Sequence, residues 1–132
     1  YMLDCGLMGA TTSTPPAKIL VGDDIFKEYK GAFTENYVIE QLVEFTDTPI
    51  QYYSKDNSTM EIDLIAQVSE RVIPIEVKAE VNVKAKSLST YIKEDHKELN
   101  LKGARFSMLP YIDQEWMENV PLYGIRTFLR GV

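Results

Sequence analysis

The run Met60-Glu61-Ile62-Asp63-Leu64-Ile65-Ala66-Gln67, the tight turn Val68-Ser69-Glu70-Arg71 and the run Val72-Ile73-Pro74-Ile75-Glu76-Val77-Lys78 decide the fold. Both runs are rich in β-formers, and a connection this short permits only antiparallel pairing. Residues two apart on a strand share a face. Ile73, Ile75 and Val77 therefore line one face of the second run, and Val72, Pro74, Glu76 and Lys78 the other. In the first run Ile62, Leu64 and Ala66 are expected on one face and Glu61, Asp63 and Ile65 on the other. Charges inside apolar strands need a reason, because an unpaired ion out of water costs several kcal/mol or more.

Outward from this pair the elements fall into order. Ile50-Gln51-Tyr52-Tyr53-Ser54 reads as an earlier strand, joined by the turn Lys55-Asp56-Asn57-Ser58-Thr59. Upstream, Asp23 and Asp24 are suited to start a helix. Its apolar stripe is Ile25, Phe26, Tyr29, Phe33, Tyr37, Val38, Leu42 and Phe45, and it ends near Thr46. Gly31 is expected to mark a break or a close contact in it. Residues 79–86 read as a loop. Ser87 is expected to cap a helix to about Leu99, and Lys102–Leu109 to form a fourth strand. Asn119 and Pro121 read as the opening of a last helix. Residues 3–10 read as a short helix capped by Asp4, and residues 11–18 as a loop. The division is a lead-in over 1–22, the end of a preceding module, and one domain over 23–132. The absence of an initiator before Tyr1 suggests a piece of a longer protein. The fold class is α/β, with an α-β-β-β-α-β core and a central mixed sheet flanked by helices.

The 132 residues suit one domain, with 45% hydrophobic and 26% charged residues. No apolar run approaches the ~20 residues that span a bilayer, and no signal peptide is evident, so no membrane partner is expected. The single cysteine, Cys5, excludes an intrachain disulfide and a cysteine-based zinc site; it reads as a small buried hydrophobe, and a cytoplasmic setting follows by default. The net charge of −6 opposes non-specific binding to phosphate. Residues 71–105 depart from it: eight basic and five acidic side chains give +3 and leave the rest at −9. That segment reads as a solvated helix surface or a local basic face.

Asp63 and Glu76 are expected to share a face of neighbouring strands about 4.8 Å apart. Carboxylates so placed can share one divalent cation, Mg²⁺ or Mn²⁺, which favours oxygen ligands. Lys78 points at the same spot and could orient a water or stabilise a phosphorus centre under attack. Glu35, on the preceding helix, could add a carboxylate from the side. The alternative reading of Glu76 and Lys78 is an ion pair at a strand end. Glu61 reads as solvent-facing at a strand start, and His96 as a surface residue. Trp116, Tyr52, Tyr53 and Tyr91 read first as packing and second as platforms for bases.

Asp63 followed by Glu76-Val77-Lys78 on the third strand of this order resembles the PD-(D/E)XK, or restriction-endonuclease-like, nuclease superfamily. Over most of the chain a closer resemblance appears. Met2-Leu3-Asp4-Cys5-Gly6-Leu7-Met8, Gly31-Ala32-Phe33-Thr34-Glu35-Asn36-Tyr37-Val38, Glu61-Ile62-Asp63-Leu64-Ile65, Ile73-Pro74-Ile75-Glu76-Val77-Lys78, Lys86-Ser87-Leu88 and Asn119-Val120-Pro121-Leu122-Tyr123 occur in that order. Together they resemble the uncharacterised C-terminal domain of prokaryotic AAA+ ATPases. The resemblance implies catalytic positions at Asp63, Glu76, Lys78 and Glu35, with Asp63, Glu76 and Glu35 as metal ligands. It also implies an ATPase module upstream, possible oligomerisation through that module, and DNA as a substrate. No P-loop pattern G-x-x-x-x-G-K-[S/T] occurs in this chain. Three functions compete: a metal-dependent DNA endonuclease, a catalytically inactive nuclease-fold module that regulates the ATPase, and a non-cleaving nucleic-acid binder using Lys84, Lys86, Lys93 and Lys97.

Overall fold

The computed structural model describes residues 4–11, 24–79 and 85–132, with side chains over 24–29 excluded. The capping role of Asp23, the burial of Ile25, Phe26 and Tyr29, the loop at 12–18 and Lys84 lie outside the described residues.

Helix α1 (Cys5–Thr11) begins where expected, with the Leu7 amide donating to Asp4 Oδ1 at 2.9 Å. It lies against the long helix α2 (Asp24–Val43): Asn36 Nδ2 donates to Cys5 Sγ at 3.6 Å, and the thiol reaches the Phe33 carbonyl at 3.6 Å. Cys5 is half-buried, and that burial raises its thiol pKa. Gly31 neither breaks α2 nor packs closely: nothing lies within 4 Å of where a Cβ would sit.

Six strands, β1 (Gln51–Ser54), β2 (Glu61–Val68), β3 (Arg71–Lys78), β4 (Gly103–Ser107), β5 (Ile112–Asp113) and β6 (Met117–Pro121), form one mixed sheet in the order β1-β2-β3-β4-β6-β5. β1 (Gln51–Ser54), β2 (Glu61–Val68) and β3 (Arg71–Lys78) make the expected antiparallel meander. The chain then crosses through α3 (Lys86–Thr90) to β4 (Gly103–Ser107), which runs parallel to β3. The crossover departs from one regular helix. α3 follows Ala85, not a Ser87 cap, and continues as a π-helical turn (Tyr91–Asp95) and a 3-10 turn (Lys97–Leu99). A second departure lies at the end. Asn119 and Pro121 do not open a helix; they belong to β6 (Met117–Pro121), parallel to β4, with β5 (Ile112–Asp113) on its outer edge. A 3-10 turn (Leu122–Gly124) leads into α4 (Ile125–Arg130). Asn and Pro are poor strand formers in isolation. Here Asn119 is held by buried polar partners and Pro121 closes the strand.

The core has two layers around the sheet. On one face Val38 and Leu42 of α2, with Ile125 and Leu129 of α4, pack on Leu64, Ala66, Ile73, Ile75, Val77, Ala104 and Phe106. On the other, Leu88, Tyr91 and Ile92 pack on Met60, Ile62 and Met117. A Cβ at Gly103 would lie 2.7 Å from Ile92 Cδ1, so glycine lets the crossover sit close on β4. No helix among the described residues is long and apolar enough to cross a membrane.

Candidate functional site

The β1–β2 pairing slips between Gln51 and Tyr53: Gln51 pairs with Ile65 but Tyr53 with Ile62, so two residues of β1 are spanned by three steps of β2. This irregularity corrects the simple alternation expected of β2. Ile62 packs in the core layer under α3, whereas Leu64 packs in the layer under α2. Bulges of this kind re-aim side chains, and Asp63 lies within this one. The β2–β3 register runs from Val68 opposite Arg71 to Leu64 opposite Ile75, so Asp63 follows the last pair on the side that leads to Glu76 and Lys78. Asp63 Oδ2 accepts a hydrogen bond of 2.7 Å from the Val77 amide, which ties its carboxylate to the strand that carries Glu76 and Lys78.

Glu76 is 8% exposed. Its Oε1 lies 3.1 Å from Lys78 Nζ, while Oε2 is buried with no hydrogen-bond partner. The ion pair at the strand end is therefore formed. Glu35 is exposed as a residue, yet protein crowds its carboxyl group. Burial raises its pKa, the charge of Asp63 raises it further, and Lys78 draws it down. For Asp63 burial again dominates upward; the Val77 amide and Lys78 oppose it, and Glu61 adds to it. Glu76 is raised chiefly by burial and also by Asp63, against the pull of Lys78 and Arg105. Three carboxyl groups thus sense one another or the same lysine, and all three resist ionisation, a pattern common at functional sites. Glu61 is exposed, as expected.

Two further polar residues extend the site. Glu76 pairs with Arg105 across β3–β4, and Arg105 pairs with Asn119 across β4–β6, making one straight row. Arg105 is 2% exposed and Asn119 0%. Arg105 Nε donates to Asn119 Oδ1 at 2.8 Å, as does the Ser107 hydroxyl at 2.8 Å. Asn119 Nδ2 donates to the Pro110 carbonyl at 2.7 Å. Sequence reasoning missed this row. The signal that singled out Glu76, a charge within an apolar strand, was equally present at Arg105 in Ala104-Arg105-Phe106.

His96 is not a plain surface residue. Its ring lies 4.3 Å from that of Tyr91, and its Nε2 is buried without a partner. Tyr53 and Tyr91 pack edge to face, and Lys93 Nζ stands 4.4 Å over the Trp116 ring, so these aromatics pack within the protein. Tyr52 is 79% exposed.

Among the described residues no group of three or more His, Cys, Asp or Glu is arranged to hold a metal ion. The residues fit a more open mode of binding. Mg²⁺ keeps several waters and commonly takes one or two carboxylates, with substrate oxygens completing its shell. Asp63 and Glu76 provide such a pair, and the orphaned Glu76 Oε2 is a buried acceptor that a cation would satisfy.

No curated protein and no solved structure matches this chain. A family described as a domain of unknown function (DUF4143) matches residues 30–126, a span that holds Glu35, Asp63, Glu76, Lys78, Arg105 and Asn119. The chain therefore belongs to the DUF4143 family.

Proposed function

We propose that this is a PD-(D/E)XK-like domain of an AAA+ ATPase and that it hydrolyses phosphodiester bonds in DNA with Mg²⁺ or Mn²⁺. The observation that carries the reading is the convergence of Asp63, Glu76 and Lys78 at the meander, with Glu76 Oε2 buried and unpartnered. The α-β-β-β-α-β order and the resemblance to C-terminal domains of AAA+ ATPases support it further.

Asp63 and Glu76 would hold the ion, and Glu35 would add a carboxylate from α2. When bound, the ion lowers the pKa of a coordinated water and neutralises charge on the phosphate. Lys78 supplies a fixed positive charge beside a non-bridging phosphate oxygen and stabilises the negative charge that accumulates there. For that task its ammonium would turn from Glu76 Oε1 towards the substrate, leaving that oxygen free to help hold the ion. The Val77 amide keeps Asp63 oriented, and Arg105 draws the Glu76 pKa down against the burial that raises it. Neither needs to touch substrate.

Asp63→Ala is expected to abolish Mg²⁺-dependent cleavage of plasmid or oligonucleotide DNA while circular dichroism and gel filtration stay unchanged. Cleavage that survives in this variant removes the assignment. A second reading draws on the Lys78–Glu76 contact, which closes one carboxylate to a metal: the fold is kept as a regulatory module that docks on the ATPase. It predicts co-purification with the ATPase module and no effect of Lys78→Ala on any activity.

A further inference from the structure

We propose that the pocket between α2, the 44–50 connection and the β1–β2 edge receives an unpaired nucleobase, so that single-stranded or locally opened nucleic acid is the substrate class of the adjoining carboxylate site. This rests on the phosphodiesterase reading above.

The pocket measures about 660 Å³, and Glu35 and Asp63 form part of its wall. A ligand seated in it therefore touches the candidate site directly. The rest of the wall is largely apolar: Ile39, Val43, Pro49, Ile50 and Leu64. Thr48 and Gln51 add groups able to hydrogen-bond a ring edge. A size of a few hundred Å³, apolar walls and a few polar groups describe a site for a small, mostly apolar molecule. The charge narrows its chemistry. Among the described residues no Lys or Arg lines the pocket, and Glu35, Asp47 and Asp63 do. A phosphate would be repelled there, and a neutral heterocycle would not. The phosphate of the same nucleotide is instead drawn outward to Lys78.

Tyr52 supplies the stacking surface. It lines the pocket, stands on the edge strand of the sheet, and is 79% exposed. Within a duplex both faces of a base are stacked and its edge is paired. Only a base out of the stack can enter such a pocket or lie on such a ring.

The test uses two probes. Adenosine, which carries no phosphate, is titrated into metal-free protein and followed by amide chemical shifts. The expected result is saturable movement confined to the pocket wall, residues 35–52 and 63–64, weakened about tenfold or more in Tyr52→Ala, as for loss of one base–aromatic stack. Val43→Asp, at an exposed wall position, is expected to remove it. A fluorescein-labelled 12-nucleotide single strand and its duplex are then compared by anisotropy with Ca²⁺ present, and the single strand is expected to bind at least tenfold tighter. No adenosine response, equal affinity for strand and duplex, or a response to a leucine-rich peptide in place of adenosine each overturns the inference, even where DNA is cleaved. Adenosine binding together with no metal binding at Asp63 overturns the substrate assignment and the phosphodiesterase reading, leaving a base-binding pocket alone.

Discussion

Asn119→Ala is the most revealing structural perturbation. The side chain is fully buried and sits at the centre of four hydrogen bonds: it accepts from Arg105 Nε and Ser107 Oγ and donates to the Leu109 and Pro110 carbonyls. Truncation removes all four. Each buried polar group left unsatisfied costs about 1–3 kcal/mol, more when it is charged. Ser107 can re-orient its hydroxyl, and the two carbonyls lie near the surface loop at 109–110. That leaves the Arg105 Nε–H as the main orphan with one or two lesser losses, a total of about 3–5 kcal/mol. A domain of this size holds only ~5–15 kcal/mol in all. With a urea m-value of ~2 kcal/mol/M the midpoint falls by about 2 M. Urea unfolding followed by fluorescence of the single Trp116 measures it, with the exposed Glu70→Ala as a control expected to stay within ~0.5 kcal/mol. A loss below ~1 kcal/mol in Asn119→Ala refutes the role given to the Glu76–Arg105–Asn119 row.

Phe106, fully buried and edge-on to Phe128, should lose about 3–5 kcal/mol on truncation to Ala by the same assay. Arg126→Ala breaks only an exposed link to Gln41 and Glu44, and is expected to cost less than ~1 kcal/mol. The carboxyl groups of Glu35, Asp63 and Glu76 are all raised by burial, so the folded state binds their protons more tightly than the unfolded chain does. Their ionisation therefore costs stability. The cost is complete above the folded pKa values and fades as the pH falls towards the ordinary carboxylate range. A melting temperature that rises on acidification from neutral pH, with a smaller rise in Glu76→Gln, is the expected result. Lys78→Met removes the cation that stands 3.1 Å from Glu76, and should steepen that pH dependence as well as abolish cleavage.

The meander was legible because its signals are local: two β-rich runs, a short turn, and alternation on β3 that the core layers reproduce at Ile73, Ile75 and Val77. The placing of Glu35 beside Asp63 was legible as far as helix order allows. Other features depend on partners distant in sequence. The irregularity in β2 is a property of its pairing with β1, and nothing within Glu61–Val68 announces it. The strand at Met117–Pro121 contradicts local propensity, because Asn119 takes its cap-like hydrogen-bonding capacity to Arg105 and Ser107 across the sheet. The apolar spacing of the crossover predicts a single helix, but the π-helical turn at Tyr91–Asp95 shifts that spacing where Ile92 meets Gly103.

The central claim is that Asp63 and Glu76 form a divalent-cation site. Calorimetric titration of Mn²⁺ into the protein, alone and with a short phosphorothioate single strand, tests it most directly beside Asp63→Asn. The account predicts one saturable binding event, tightened by the strand and lost in the variant. No saturable binding under either condition, or binding unchanged in Asp63→Asn, contradicts it.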